Sequence, residues 1–233
     1  MDTTTDYYNN FAMYMVKTGI NIRHRTIFHE LVKAGLKRNM KVLEVGCGIG
    51  QVTSLVSQYL RKGSITAIDI SPENIKIAKD NFPWGNIQFI VGDICSFYLG
   101  GTYDFVVFPD SLEHIPVGCY KDIFEKLSRH VHPDGTIFIN TPDPYFQDYM
   151  TWHHPDKQQI VDESVHDFVI TEHLCPNHFF IHSLKRYSLA HRQPDYQQLI
   201  LKVSNSYSTI EKLSWIELAY KEILSRMKIM KHI

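Results

Sequence analysis

Three glycines at alternate positions, Gly46, Gly48 and Gly50, follow an apolar run that carries one acid, Val42-Leu43-Glu44-Val45. Glycine lets the chain turn sharply and lets a ligand approach the backbone with no Cβ in the way. Asp69 ends a second apolar run, and a carboxylate at the tip of a strand is well suited to accept two vicinal hydroxyls. A third run, 86–91, closes on Gly92-Asp93-Ile94. A fourth, 103–108, leads into Pro109-Asp110-Ser111-Leu112-Glu113-His114-Ile115. His114 is a natural proton acceptor, because an imidazole titrates near neutrality. Acids at successive strand ends, a glycine loop and a histidine therefore describe a ligand site beside a proton-transfer site.

The segments that must hold these residues alternate between short apolar runs and helical patterns. Residues 6–17 and 23–33 read as two helices separated by Gly19. A helical pattern covers 51–61, and Ser71-Pro72-Glu73 marks another helix start, with Ser71 as N-cap and Pro72 at the first helical position. Residues 135–140 form a fifth strand, 141–182 fit no regular strand–helix unit, and 196–207 form a closing strand. The last stretch, 210–230, is an amphipathic helix with Leu213, Ile216, Tyr220, Ile223 and Met227 at helical spacing, suited to packing or to a homodimer contact. Such alternation predicts an open parallel sheet that binds its ligand at the carboxyl ends of the strands.

Glu44-x-Gly46-Cys47-Gly48-Ile49-Gly50, with Gln51 where a dinucleotide fingerprint would place its third glycine, resembles motif I of the class I S-adenosylmethionine-dependent methyltransferases. Asp69 and Gly92-Asp93 follow in the order that the resemblance requires, and it covers about residues 40–142. The resemblance implies an α/β fold, a three-layer sandwich around a seven-stranded, mostly parallel Rossmann-like sheet. It implies one domain over 1–233: N-terminal lid helices (1–36), a cofactor-binding core (40–142), an acceptor-site insertion after the fifth strand (143–182), then closing strands and a C-terminal helix (183–233). It places Glu44, Gly46, Cys47, Gly48 and Gly50 at the methionine half of S-adenosylmethionine, Asp69 and Ile70 at the ribose, Asp93 and Ile94 at the adenine, and Asp110 at the border with the acceptor. Tyr7, Tyr8 and Phe11 lie on one face of the first helix, either lining the lid or packing on the sheet.

Methyl transfer is an in-line displacement on an activated carbon, so the protein must align a nucleophile and remove its proton. His114 is the candidate base. Asp110-x-x-Glu113-His114 also resembles the metal motif of the ubiquinone-pathway O-methyltransferases and the small-RNA 3′-terminal 2′-O-methyltransferases, with Asp110 in place of a glutamate. In 177–184, His178 takes the position of the remaining ligand. This resemblance implies one divalent metal (Mg, Mn, Fe or Zn) on Asp110, Glu113, His114 and His178, which would position a hydroxyl and lower its pKa. The alternatives are a metal-free site with His114 as base, and His178 and His182 as core or rim residues. Tyr145, Phe146, Tyr149 and Trp152 recur at roughly helical spacing, as a core stripe or, where exposed, the wall for a flat apolar acceptor. Asp162, Glu163 and His166 offer polar contacts without a distinguishing pattern.

Methyl transfer to a small-molecule acceptor, chiefly a hydroxyl, is the expected function. Amine or carboxylate acceptors, RNA 2′-O-methylation and a non-catalytic cofactor-binding subunit are the alternatives. Composition agrees with one enzyme domain: 44% of the 233 residues are hydrophobic, enough for a full core. A net charge of −1 argues against gripping nucleic acid, local basic stretches at Lys185-Arg186 and 226–231 aside. No apolar run reaches the length of a membrane span. The polar start Met1-Asp2-Thr3 has no signal-peptide character, and four cysteines scattered without a C-x-x-C pair fit a reducing cytoplasm.

Overall fold

The computed structural model describes residues 3–204 and 212–230, with the side chains of 3, 10–14, 175 and 226–230 left aside. Two helices, α1 (Thr3–Thr18) and α2 (Ile22–Lys33), precede β1 (Lys41–Val45), α3 (Gln51–Tyr59), β2 (Ser64–Asp69), α4 (Pro72–Asn81) and β3 (Ile87–Val91). Next come β4 (Tyr103–Pro109), α5 (Tyr120–His130), β5 (Val131–Pro142), α6 (Pro144–His153) and α7 (Asp167–Leu174). The chain ends with β6 (Phe179–Tyr187), β7 (Tyr196–Val203) and α8 (Trp215–Met230). The predicted extension of the closing strand to 207 and the helix start at 210 fall on residues outside the described ones.

Seven strands form one sheet in the order β3-β2-β1-β4-β5-β7-β6. The first five are mutually parallel, and β7 runs antiparallel to both its neighbours. Apolar residues fill the central strands on both faces because both faces are covered, as parallel sheets require. Leu43, Val106, Phe108, Ile137 and Ile139 point to the face packed by Ile123, Phe124 and Leu127 of α5. Val42, Phe105, Val107 and Phe138 point to the other, packed by Ile27 and Leu31 of α2 and Val52 and Val56 of α3. The result is the expected three-layer sandwich. None of the described helices is long and apolar enough to cross a membrane.

Local chemistry sets the helix starts. The Asn21 side chain and His24 form a reciprocal capping box on α2. Ser71 caps α4, with Pro72 in the first turn as predicted, and Asp143 caps α6 ahead of Pro144. Two sequence expectations change here. The segment 177–184 is largely edge strand β6, which the sequence had offered as part of a metal site. The aromatic stripe of α6 is not core: Tyr145, Tyr149 and Trp152 are exposed, because the helix buries only Pro144 and Gln147. In α8, Ile216, Tyr220 and Ile223 are likewise exposed.

Candidate functional site

The loop from β1 into α3 lies at the carboxyl end of the sheet. Gly46, Gly48 and Gly50 have φ of 74°, 53° and 85°, the left-handed region that glycine enters without cost. At Gly46 a second reason is geometric: a Cβ there would lie 2.3 Å from Cβ of Ser111. Ser111 donates to the Val45 carbonyl at 2.6 Å, so the acceptor loop is seated directly on the glycine loop. A Cβ at Gly48 would instead come within 3.4 Å of the Met15 sulfur.

Glu44, 1% exposed, has two carboxylate oxygens without a hydrogen-bond partner. Burial pushes its pKa up to about 8, with the neighbouring Thr53 hydroxyl opposing and the charge of Asp69 adding to it. Asp69 is better satisfied. It accepts from the Gly48 N–H at 2.7 Å, the Ser71 N–H at 2.9 Å and the Asn74 amide at 3.0 Å. Burial raises its pKa against these three donors. Ile70 is half-buried between Asp69 and the Ser71 cap. Cys47 packs with Ile75, Ala78 and Phe89. Asp93 accepts from the Cys95 N–H at 2.9 Å, and Ile94 is 5% exposed within the main core.

Helix α1 covers this region. Ser71 donates to the Asn9 side chain at 2.5 Å, and the Gln51 amide reaches the carbonyls of Met15 and Gly19, each at 3.3 Å. The Tyr8 ring lies 6.0 Å from the His114 ring, and its buried hydroxyl has no partner. The side chain of Phe11, paired with it in the sequence reading, lies outside the described ones.

The acceptor loop brings Asp110, Glu113 and His114 together. Asp110 adopts φ of 56°, unusual for a residue with a side chain. Its carboxylate is held by the Arg23 guanidinium at 3.2 Å and the Asn140 amide at 2.5 Å, and its N–H donates to the Asn140 carbonyl at 2.9 Å. Tyr187 completes the chain by donating to Asn140 Oδ1 at 2.7 Å, and Tyr196 stands beside Arg23. Burial raises the Asp110 carboxyl, with Arg23 opposing. Glu113 is 1% exposed with one oxygen unpartnered. Burial and the Asp110 charge hold it well above the usual carboxylate range.

His114 has its Nδ1 2.9 Å from the Val161 carbonyl. A carbonyl only accepts, so Nδ1 carries the hydrogen and Nε2 keeps the lone pair. Burial lowers the His114 pKa, with the carbonyl contact opposing, which favours this neutral form. Asp162 lies 3.8 Å from Nδ1, and the Glu163 N–H donates to the Glu113 carbonyl at 2.8 Å, so the insertion closes this side.

His178 is not part of the cluster. It precedes β6 at the end where Phe179 pairs with Val203, whereas the Asp110 loop lies at the end where Tyr187 pairs with Tyr196. Eight residues of extended chain separate it from the level of Arg186, about 25 Å along the strand. It is exposed, and its carbonyl accepts from the Ser204 N–H. The four-ligand metal set is therefore corrected to a cluster of three, with Arg23 as its cation. Among the described residues no three His, Cys, Asp or Glu side chains are arranged to hold a metal ion. Arg23, Asn140, Tyr187 and Tyr196 carry no motif in the sequence, since each comes singly from a separate part of the chain, and Ser111 lies inside the loop 109–115 without having been singled out. The predicted basic pair is also spent: Lys185 binds Glu30 at 3.2 Å, and Arg186 clamps Asp143 with both Nε and, at 2.7 Å, Nη2.

Residues 21–190 match the methyltransferase-domain family. The chain belongs to that family. This methyltransferase-family chain is 39% identical over 108 residues to malonyl-(acyl-carrier protein) O-methyltransferase of Acetivibrio thermocellus, covering 45% of the chain and 36% of that relative. It is 25% identical over 188 residues to trans-aconitate 2-methyltransferase of Escherichia coli, covering 76% and 71%. The first of the malonyl-(acyl-carrier protein) relatives, from Bacillus anthracis, is spanned over 38% of its length. Among solved structures, an N-methyltransferase from Bradyrhizobium japonicum in complex with S-adenosylhomocysteine superposes with a TM-score of 0.68 at 16% identity, covering 88% of this chain and all of that one. Magnesium protoporphyrin IX methyltransferase of Synechocystis, also with bound S-adenosylhomocysteine, gives 0.63 at 20% identity, covering 84% and 96%. These likenesses confirm the seven-stranded methyltransferase fold.

Proposed function

We propose that this chain transfers a methyl group from S-adenosylmethionine to an oxygen of a small-molecule acceptor, with His114 as general base and without a metal. The observation that carries the proposal is the neutral His114, its Nδ1–H spent on Val161 and its Nε2 lone pair left available, on a loop seated against the glycine loop.

The residues fit the cofactor. A buried carboxylate with two unpartnered oxygens calls for a cationic group, and the amino group of a methionine moiety is one, so Glu44 would hold it. Gly46, Gly48 and Gly50 would keep the backbone approachable there. Asp69 retains one of about four acceptor positions for a ribose hydroxyl, and Asp93 would take the adenine side. When bound, the cofactor supplies an electrophilic methyl group on a positively charged sulfur.

The remaining work belongs to the chain. His114 takes the acceptor proton at Nε2, and the Val161 carbonyl stabilises the imidazolium formed. The raised pKa of Glu113 favours its neutral form, which can donate a hydrogen bond to an acceptor oxygen without repelling it. Helix α1 and the 155–166 segment exclude water from that side. The metal-free reading rests on Arg23, whose guanidinium already supplies the positive charge beside Asp110, and on the remote position of His178. An oxygen acceptor is favoured by the relatives named O-methyltransferases.

Product mass spectrometry tests this with S-adenosylmethionine and panels of hydroxyl, carboxylate, amine and small-RNA acceptors, with and without EDTA. Methylation of an oxygen acceptor that persists in EDTA is the expected result. Transfer only to amines or RNA, or none despite cofactor binding, would overturn it.

A further inference from the structure

Two consecutive residues of α1 serve different halves of the site. Asn9 accepts from the Ser71 hydroxyl at 2.5 Å, and the Ser71 N–H donates to Asp69, which ties Asn9 to the proposed ribose side. Tyr8 lies against the acceptor loop instead, its ring centroid 6.0 Å from that of His114. With the Gln51 amide holding the Met15 and Gly19 carbonyls at the far end, the helix is fastened on both sides of Tyr8. Three polar atoms in this corner have no hydrogen-bond partner among the described residues. The Tyr8 hydroxyl and Glu113 Oε2 are both enclosed and unpartnered. His114 Nε2 stands 3.9 Å from Glu113 Oε1, beyond hydrogen-bond reach. Enclosed polar atoms are nearly always satisfied, so a donor, a carboxyl oxygen and a lone pair left open together mark the place of a ligand oxygen.

We infer that Tyr8 contacts the acceptor and selects oxygen over nitrogen, its hydroxyl donating to the same atom that His114 deprotonates. This deepens the proposed function and rests on it. The acceptor oxygen gives its proton to His114 Nε2 and one electron pair to the methyl carbon, whose bond to sulfur breaks with the pair left on sulfur. A second lone pair on that oxygen stays free to accept from Tyr8 throughout. A neutral amine nitrogen has a single lone pair, and methylation spends it. An amine could meet the phenol only by donating N–H to its oxygen, which leaves the Tyr8 hydrogen enclosed without an acceptor, a costly arrangement. Burial, with the Glu113 charge adding to it, raises the Tyr8 phenol, so the hydroxyl keeps the hydrogen it must donate.

The experiment compares the full chain with Tyr8→Phe, which keeps the ring beside His114 and removes only the hydroxyl. Each receives S-adenosylmethionine and an aminophenol or tyramine, probes that offer a hydroxyl and an amine in one molecule, and chromatography with fragmentation mass spectrometry separates the O-methyl from the N-methyl product. Because both products come from one probe, their ratio does not depend on how much of the variant is folded. Expected is a fall in O-methylation of about 10- to 100-fold in Tyr8→Phe, the scale of one hydrogen bond to a developing charge, with N-methylation undiminished. On any hydroxyl acceptor of the panel described above, kcat should fall by the same factor. Calorimetric titration with S-adenosylhomocysteine should give the same affinity for both proteins. An unchanged product ratio or unchanged kcat in the variant would overturn the inference alone, as would a parallel loss of S-adenosylhomocysteine affinity, which would make Tyr8 a cofactor contact. No oxygen methylation by the unaltered chain on the probes or the panel would refute the proposed function, and this inference with it.

Discussion

If Glu44 receives the ammonium of the cofactor, binding must depend on pH in a specific way. In the ligand-free protein burial pushes its carboxyl up to about 8, because the charged form loses its hydration there. Below that pH the group is neutral, and an ion pair can form only by releasing its proton. Affinity therefore rises as pH climbs towards 8, approaching tenfold per unit. An α-amino group loses its own proton near pH 8, so the curve turns over there. Multiplying the two fractions gives affinity about 25-fold higher at pH 8 than at pH 6. Calorimetric titration with S-adenosylhomocysteine at pH 6, 7 and 8 reads this directly, and buffers of different ionisation enthalpy count the released proton. Glu44→Gln, which keeps the shape but cannot ionise, should abolish the rise. A flat affinity with no buffer-dependent heat would refute the placement of the ammonium on Glu44, as would an unchanged slope in the variant.

The same carboxyl burdens the ligand-free fold. Its folded pKa of about 8 exceeds its unfolded value of 4.5, so stability falls as pH rises between those values. The loss is about 3 kcal/mol at pH 7, and Glu44→Gln should raise the ligand-free melting temperature by more at pH 8 than at pH 5, followed by calorimetric scanning. His114→Ala should lower turnover about 10²- to 10⁴-fold, while His178→Ala and EDTA leave it unchanged; loss of activity in EDTA would restore the metal. Gly46→Ala puts a Cβ 2.3 Å from Ser111, and should cost about 2 kcal/mol or more in thermal unfolding. Arg23→Ala leaves the buried Asp110 charge uncompensated. Because the Arg23 side chain is 38% exposed, the expected cost is about 2 kcal/mol, below that of breaking a fully buried pair. Adding Asp110→Asn should recover part of it in a double-mutant cycle.

The positions proposed for the cofactor could be placed from the sequence because they are local. Glu44, the glycines, Asp69 and Asp93 each close a strand of one parallel sheet, and strand order fixes where strand ends meet. His114 was legible for the same reason, lying just beyond β4. The remainder depends on register, which spacing does not carry. His178 had suitable company in the sequence, but β6 begins there and runs towards the site, placing His178 at the far end and Tyr187 at the near one. The stripe on α6 has helical spacing whether it faces core or solvent, and only the neighbours of the helix decide between them. Arg23 is one cation among 24, without a motif to mark it.

Asn140 has a consequence for how the molecule is assembled. Its main chain lies in β5 between Pro109 and Gln198, and its side chain ties Asp110 to Tyr187. A slip of one residue would turn that side chain to the opposite face and release Asp110. The glycine loop can take shape from contacts within the first half of the chain, whereas the loop of Asp110, Glu113 and His114 gains its full support only when the two final strands have docked. Cofactor affinity should thus emerge earlier in folding than competence for transfer. A chain truncated after β5 would still carry Asp110, Glu113 and His114 but would lack the strands that hold their loop in place.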